Sequence, residues 1–481
     1  MSPIHDGPMS SDCAETVHLA AQVAGPVVRP HEAGYRAECD TSNLWTPVRP
    51  AVAVGAHSVG DVQAAVRFAA ARDLPVAVLA TGHQVARAAE DSVLINVSRM
   101  NLRFLDPIRR FARVEGGARW QQVLDLTDKY GLAPISGSSG HVGVVGYHLG
   151  GGVSPFLGRT HGYAADHVAA IEIVTADGEL RRVTADSEPD LFWALRGGKG
   201  NFGVVTALEF SLFPVKSVYG GVLVFAGEDA AEVLHTWREW VIDLPEEVSS
   251  SVAFLRWPPL PTVPEPLRGR FVIQVRFSSL LPRKQAAPVL APIRMIGPTI
   301  LDTITQQCYR NTASVFMDPP VPIAWIQRST FLQDFPSGAA DVVLALLGSE
   351  SGSHLRFVEL CRLGGALQRP PAVPNAVPGR DARWSLFGSS GGRRDMTAVF
   401  DEQLTTLIDA LSPWAQDEMM PNLLGAGQGT TARELRAIYG PARYDRLAAI
   451  KTRYDPRNLF RMNHNITPEG PMSPETKEDT R

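Results

Sequence analysis

Cysteine is scarce: the 481 residues carry four, Cys13, Cys39, Cys308 and Cys361, and no two form a CxxC pair. That spacing supports neither a zinc ribbon nor a disulfide framework, and no metal site is expected. An excess of one charge is missing too. The formal net charge is −4, which gives no electrostatic reason to expect nucleic acid or a membrane surface as partner. No apolar run reaches transmembrane length. The opening residues, MSPIHDGPMSSDC, have neither the basic start nor the apolar stretch of a secretory signal, so a cytoplasmic protein is expected. Internal repeats, low-complexity tracts and heptads are absent. With 44% hydrophobic and 20% charged residues, the composition is that of a globular protein, and the length implies two or three domains.

Glycine is where the chain concentrates. The stretch SGHVGVVGYHLGGGVSPFLGRTHGYAADHV, residues 139–168, holds Gly140, Gly143, Gly146, Gly150, Gly151 and Gly152. Glycine lets backbone N–H groups turn inward and lets a ligand approach without a Cβ in the way. Such runs form concave nests that hold an anion. No Lys-Ser or Lys-Thr follows, so this is not a P-loop, and the glycines do not fit G-x-G-x-x-G between a strand and a helix. Taken alone, the run reads equally well as a glycine-rich turn in a β-rich domain.

The periodicity gives a coarse map. Residues 51–54 read as a short buried strand. Ser58 caps a helix with Val62, Ala65, Val66 and Ala69 on one face. PVAVLATGHQ is a strand ending in a loop, and the β-α-β order continues through VLINVSRM, FARVEGGARW and a helix WQQVLDLTDKYG. AAIEIVTADGELRRVT is a hairpin turning at Asp177-Gly178. After Pro214, strands GGVLVF, FVIQVRF, DVVLALLG and HLRFVELCRLGG alternate with amphipathic helices, one around 230–241. This predicts a separate sheet with helices on one face. Residues 430–450 read as one helix. The polar ends, 1–12 and 471–481, are expected to be disordered.

Three separated segments carry a family resemblance: ATGHQ at 80–84; the 139–168 stretch together with LFWALRGGKGNFGVVT at 191–206; and YDPRNLFRMNHNI at 454–466. In this order they resemble the berberine-bridge-type FAD-linked oxidases of the vanillyl-alcohol oxidase / p-cresol methylhydroxylase superfamily. The resemblance implies an α+β fold: a two-part FAD-binding domain of the vanillyl-alcohol oxidase type and an α/β substrate domain with a sheet covered by helices. The boundaries that follow are an N-terminal tail and helix to 44, an FAD domain over 45–215, a substrate domain over 216–425, a C-terminal segment returning to the flavin over 426–470, and a tail from 471. FAD is the implied cofactor, a small molecule and O2 the partners, and a monomer or homodimer the assembly.

Residue by residue, the resemblance makes His83 the covalent anchor of the flavin, within Ala80, Thr81, Gly82 and Gln84. A second, cysteinyl tether in many relatives falls at Ser139, which cannot form a thioether, so one bond is expected. Val142 matches a position that admits O2 in relatives. Gly143, Gly146, Tyr147, Gly150, Gly151 and Gly152 are expected along the diphosphate and ribityl chain, with Ser138 and His141 among the cofactor-binding residues. Asp166 and Val168 match a segment near the adenine. Gly200, Asn201, Gly203, Val204 and Val205 match the loop on the adenosine side, and Asn463 and Asn465 the pair closing over the isoalloxazine. Tyr444 matches a catalytic base, with Tyr439 as rival and Arg443 as a group to lower its pKa. The phenol could equally be a buried tyrosine with its hydroxyl bonded. Glu359, Arg380 and Trp384 are expected to face the substrate by strand alternation.

The implied function is an oxidase moving hydride from an alcohol or amine of a secondary-metabolite or sugar-like molecule to flavin N5. An oxidative cyclase or tailoring enzyme making a ring or double bond is the alternative. A non-enzymatic binding protein is opposed by the intact ATGHQ and NHNI segments.

Overall fold

The computed structural model describes residues 11–317 and 321–469. The tails expected to be disordered lie mostly outside the described residues.

The first part is built on two sheets. Val52–Gly55 and Val76–Leu79 each pair in parallel with Val93–Asn96, and Val27–Val28 closes the edge antiparallel to Val52–Gly55. The crossover between the first two of these strands runs through the helix Val59–Ala71, where the Ser58 hydroxyl accepts the Asp61 N–H at 3.2 Å. Its Val62, Ala65, Val66 and Ala69 are buried on the sheet. The second sheet has five antiparallel strands in the order Arg103–Asp106, Phe111–Glu115, Val204–Ser211, Val168–Val174, Leu180–Val183. The hairpin turns at Asp177-Gly178, with Gly178 at φ +76° and the Asp177 carboxylate accepting the Glu179 N–H.

Residues 217–416 form a nine-stranded sheet whose pairings are all antiparallel. At its centre Val248–Arg256 lies beside Phe357–Arg362, which lies beside Trp384–Gly391, then Trp325–Leu332. One face, with Val358, Leu360, Trp384 and Leu386, packs on the helices Ala230–Trp240, Arg283–Arg294, Ser337–Leu347 and Thr397–Ala410. The other face, with Ala253, Leu255, Val272 and Leu363, shares a core with Tyr147 and Phe202 of the first part. Two layers of sheet therefore meet across one apolar seam. The chain then returns: Pro441–Tyr454 packs on Pro189–Leu195, and Leu459 and Phe460 enter the core of the four-stranded sheet.

Two expectations are corrected. DVVLALLG is not a strand but the end of the helix Ser337–Leu347, where Ala339, Ala340, Val343 and Leu347 share one buried face. Residues 430–450 are not one helix. Ala432–Tyr439 and Pro441–Tyr454 are separated by Gly440 at φ +76°, outside the helical region, with Pro441 starting the second helix where its missing N–H costs nothing.

Candidate functional site

The strand Val76–Leu79 delivers its loop to the seam between the two parts. Gly82 sits at φ +64°, and a Cβ there would stand 2.5 Å from Thr41 Cβ, so the turn before His83 accepts only glycine. Ala80 and Thr81 approach Gly143, whose Cβ position lies 3.5 Å from Thr81 Oγ1. His83 is partly buried, its Nε2 enclosed without a partner and its ring 6.1 Å from that of Trp325 on the opposing sheet. Burial, with the nearby His141 and Arg119 charges, pulls its pKa down to about 4. The imidazole is therefore neutral at physiological pH and keeps a free lone pair.

The glycine stretch lies beside this loop. Gly143 precedes the short helix Val144–Leu149; Gly151 (φ +110°) and Gly152 (φ +72°) follow it in conformations a side chain resists. Gly146 is exposed, and a Cβ on it would meet nothing within 4 Å. Tyr147 is enclosed edge-on against Trp120, 5.3 Å between rings, with no partner for its hydroxyl. Ser139 is buried, Ser138 and Val142 partly buried, and His141 exposed, with the Ser139 hydroxyl accepting the His141 N–H at 3.4 Å. None of the free cysteines Cys39, Cys308 and Cys361 belongs to this loop.

The second glycine cluster and the C-terminal segment close on each other. Asn201, fully buried, donates to the Gly198 and His464 carbonyls and accepts the Ile466 N–H. Asn463 donates to the Gly200 carbonyl at 3.1 Å, while the Oδ1 atoms of Asn463 and Asn465 are buried and unpartnered. Gly203 (φ +156°) sits where a Cβ would be 2.4 Å from the Val174 carbonyl, and Val204 and Val205 are strand core. Asn201 thus acts as a latch: its side chain is spent within the protein.

Other site residues fall differently from expectation. Asp166 gives its carboxylate to Arg380, to Asn375 at 2.7 Å and to the Tyr163 N–H, so Arg380 does not face substrate. Val168 is buried strand, paired with Phe210. Trp384 is on the helix-covered face, against Trp237 and Phe335. The Tyr439 hydroxyl is fully buried and donates to the Gly197 carbonyl at 3.2 Å; burial pushes its pKa up, the wrong direction for a base. Tyr444 is buried in the same core, on a helix whose main packing partners are Pro189–Leu195 and Ala432–Tyr439. Glu359 does point at the seam, since Val358 and Leu360 point the other way. Its Oε1 accepts from Arg276 Nη1 at 2.5 Å and Ser251 Oγ at 2.6 Å. Arg276 lies over the Phe316 and Phe357 rings.

Sequence reasoning missed Lys199, Trp325, Gln327 and the loop around Asn422. Asn422 accepts the Gly152 N–H at 2.9 Å and donates to the Gly146 carbonyl, and Gln327 donates to the carbonyls of Leu423 and Leu424. Only Lys199 left a signal, as the one charged side chain inside the glycine cluster.

The arrangement fits a bound FAD. Enclosed polar atoms of His83, Tyr147, Asn463 and Asn465 stand without partners on converging segments, a state that buried polar groups rarely keep. Among the described residues no group of three His, Cys, Asp or Glu side chains could hold a metal, and no helix is long and apolar enough to cross a membrane.

Comparison with known proteins agrees. Residues 50–184 match the family described as FAD binding domain, and residues 435–467 match the family described as berberine and berberine like. The chain is 27% identical over 474 residues to (R)-6-hydroxynicotine oxidase of Paenarthrobacter nicotinovorans, covering 93% of this chain and 98% of that protein. Among solved structures, 6-hydroxy-D-nicotine oxidase from Arthrobacter nicotinovorans superposes with a TM-score of 0.80 at 26% identity, over 93% of this chain and 98% of that one. A chitooligosaccharide oxidase shares the fold at TM-score 0.81 and 20% identity, over 95% of this chain and 100% of that one.

Proposed function

The chain belongs to the berberine-bridge-type FAD-linked oxidases of the vanillyl-alcohol oxidase superfamily, and from that premise we propose that it takes a hydride from a carbon bearing a hydroxyl or amino group in a small molecule. FAD, held by the His83 loop, the glycine stretch and the Asn463–Asn465 segment, would supply the redox chemistry: a hydride acceptor that O2 can reoxidise. The observation that carries this reading is the meeting of three separate stretches, around His83, Gly143 and Asn463, each with enclosed polar atoms that have no partner.

The chain's own residues have distinct tasks. His83, neutral and with an idle ring nitrogen, is the covalent anchor, and Ser139 leaves it the sole one. The backbone of Gly143–Gly152 cradles the diphosphate. Asn463 and Asn465 offer their free oxygens to the ring. Glu359 takes the substrate's proton in place of a tyrosine. Its two neighbouring donors both bind Oε1, which leaves Oε2 for the substrate. Of the two carboxylates in the nine strands, the other, Asp302, is at the edge and paired with Arg294.

The mass of the intact denatured protein tests the anchor. Wild type should carry one flavin and His83→Ala none. An adduct that survives the substitution, or a wild type without one, sinks the reading. Peroxide release with a panel of alcohols and amines tests the rest.

A further inference from the structure

One cation in this cluster has no anion. The Lys199 ammonium donates to Gln84 Oε1 and to the Pro421 carbonyl, and neither is a carboxylate. Its backbone sits at φ +57°, a left-handed conformation that costs any residue with a Cβ, between Gly198 and Gly200 where another glycine would fit without strain. Desolvation lowers its pKa to about 7, so the ammonium is held there at a cost.

Its partner explains the placement. Gln84 follows His83 directly. Lysine offers only donors, so it takes the Gln84 amide oxygen and leaves the NH2 for the 421–424 loop. That NH2 donates to the carbonyls of Pro421, Asn422 and Leu424. Asn422 continues the chain of bonds to Gly152 and Gly146. The His83 loop, the 421–424 loop and the glycine stretch are thus tied in one network whose polarity Lys199 sets.

We propose that Lys199 is the positioning residue for cofactor attachment: through Gln84 it holds the loop bearing His83 so that the ring nitrogen meets the flavin's 8α-carbon. This rests on His83 being the anchor. Attachment forms an N–C bond and breaks one C–H bond at that carbon. One proton leaves from the carbon and one from the imidazole, and the electron pair passes through the ring to O2, giving H2O2.

The test uses the full chain as wild type, Lys199→Gly, Lys199→Met and Gln84→Leu. Total bound flavin is read by absorbance before denaturation, the covalent fraction by intact mass after it, and folding by the melting temperature. Lys199→Gly relieves the strained φ, so it should melt no lower than wild type. All three variants should still bind FAD yet attach it about tenfold or more slowly, as expected when a reacting pair is misplaced. Attachment at the wild-type rate in Lys199→Gly and Lys199→Met overturns the proposal alone. Loss of flavin together with a fall in melting temperature in both lysine variants also overturns it, as the role is then structural. A wild type without an adduct removes the His83 anchor and this proposal with it.

Discussion

At the scale of single residues, the site is a matter of which polar atoms are spent and which are idle. Glu359→Gln keeps the shape and one acceptor but removes the base, so kcat should fall by about 10²–10⁴-fold while flavin content is unchanged; an unaltered kcat would return the role to another group. Three enclosed histidines set the acid response. Burial lowers His83 and His148 to about 4 and His464 to about 3, against an ordinary 6.5. Between those values the unfolded chain binds protons that the folded one refuses, so stability is full above about 6.5 and is lost as pH falls toward 4. Thermal melts at a series of pH values should show it, and a melting temperature flat from pH 7 to 5 would contradict it. His83, the glycines and the asparagine pair stand out in the sequence because each has a conspicuous local signature. It could not show that Asn201 is used up as a latch or that Asp166 belongs to Arg380, since those partners lie 265 and 214 residues away.

At the scale of elements, alternation and caps were readable where one face is buried and one is wet. The Ser58-capped helix and the Asp177-Gly178 hairpin are of that kind. DVVLALLG misled because a short run of β-branched and apolar residues fits a strand as well as a helix, and only the partly buried Val342 and Leu346 between core positions reveal the helical turn. The return of the chain depends on a buried pair within one helical turn of the last helix. Lys451 and Asp455 are both fully enclosed, 2.8 Å apart. Lys451 also donates to the Asn201 and Phe460 carbonyls, and Asp455 accepts the Leu459 and Phe460 N–H groups. Lys451→Met leaves a bare carboxylate in the core and should cost about 3–5 kcal/mol, seen in denaturant melts. The double variant Lys451→Met with Asp455→Leu should lose less than the two single costs added.

At the scale of the molecule, two sheet systems are held over one seam by side chains that cross it. Arg159 reaches the Leu244 and Leu363 carbonyls, Arg196 those of Val373 and Pro374, and Arg380 returns to Asp166. Asp166→Asn weakens the charged one of these ties. Hydrogen exchange should quicken in residues 369–380 while the central strands keep their protection; unchanged exchange there would make the tie ornamental. The sheet change after Pro214 was legible in composition, but which face of the second sheet meets the first was not, because alternation gives parity and no direction. The latch of Asn201 on His464 and Ile466 has a consequence for biosynthesis. A ribosome makes Gly146, Lys199 and Glu359 long before it makes the segment that shuts over them. A nascent chain therefore has no finished cradle, and loading must wait until translation has passed the closing asparagines.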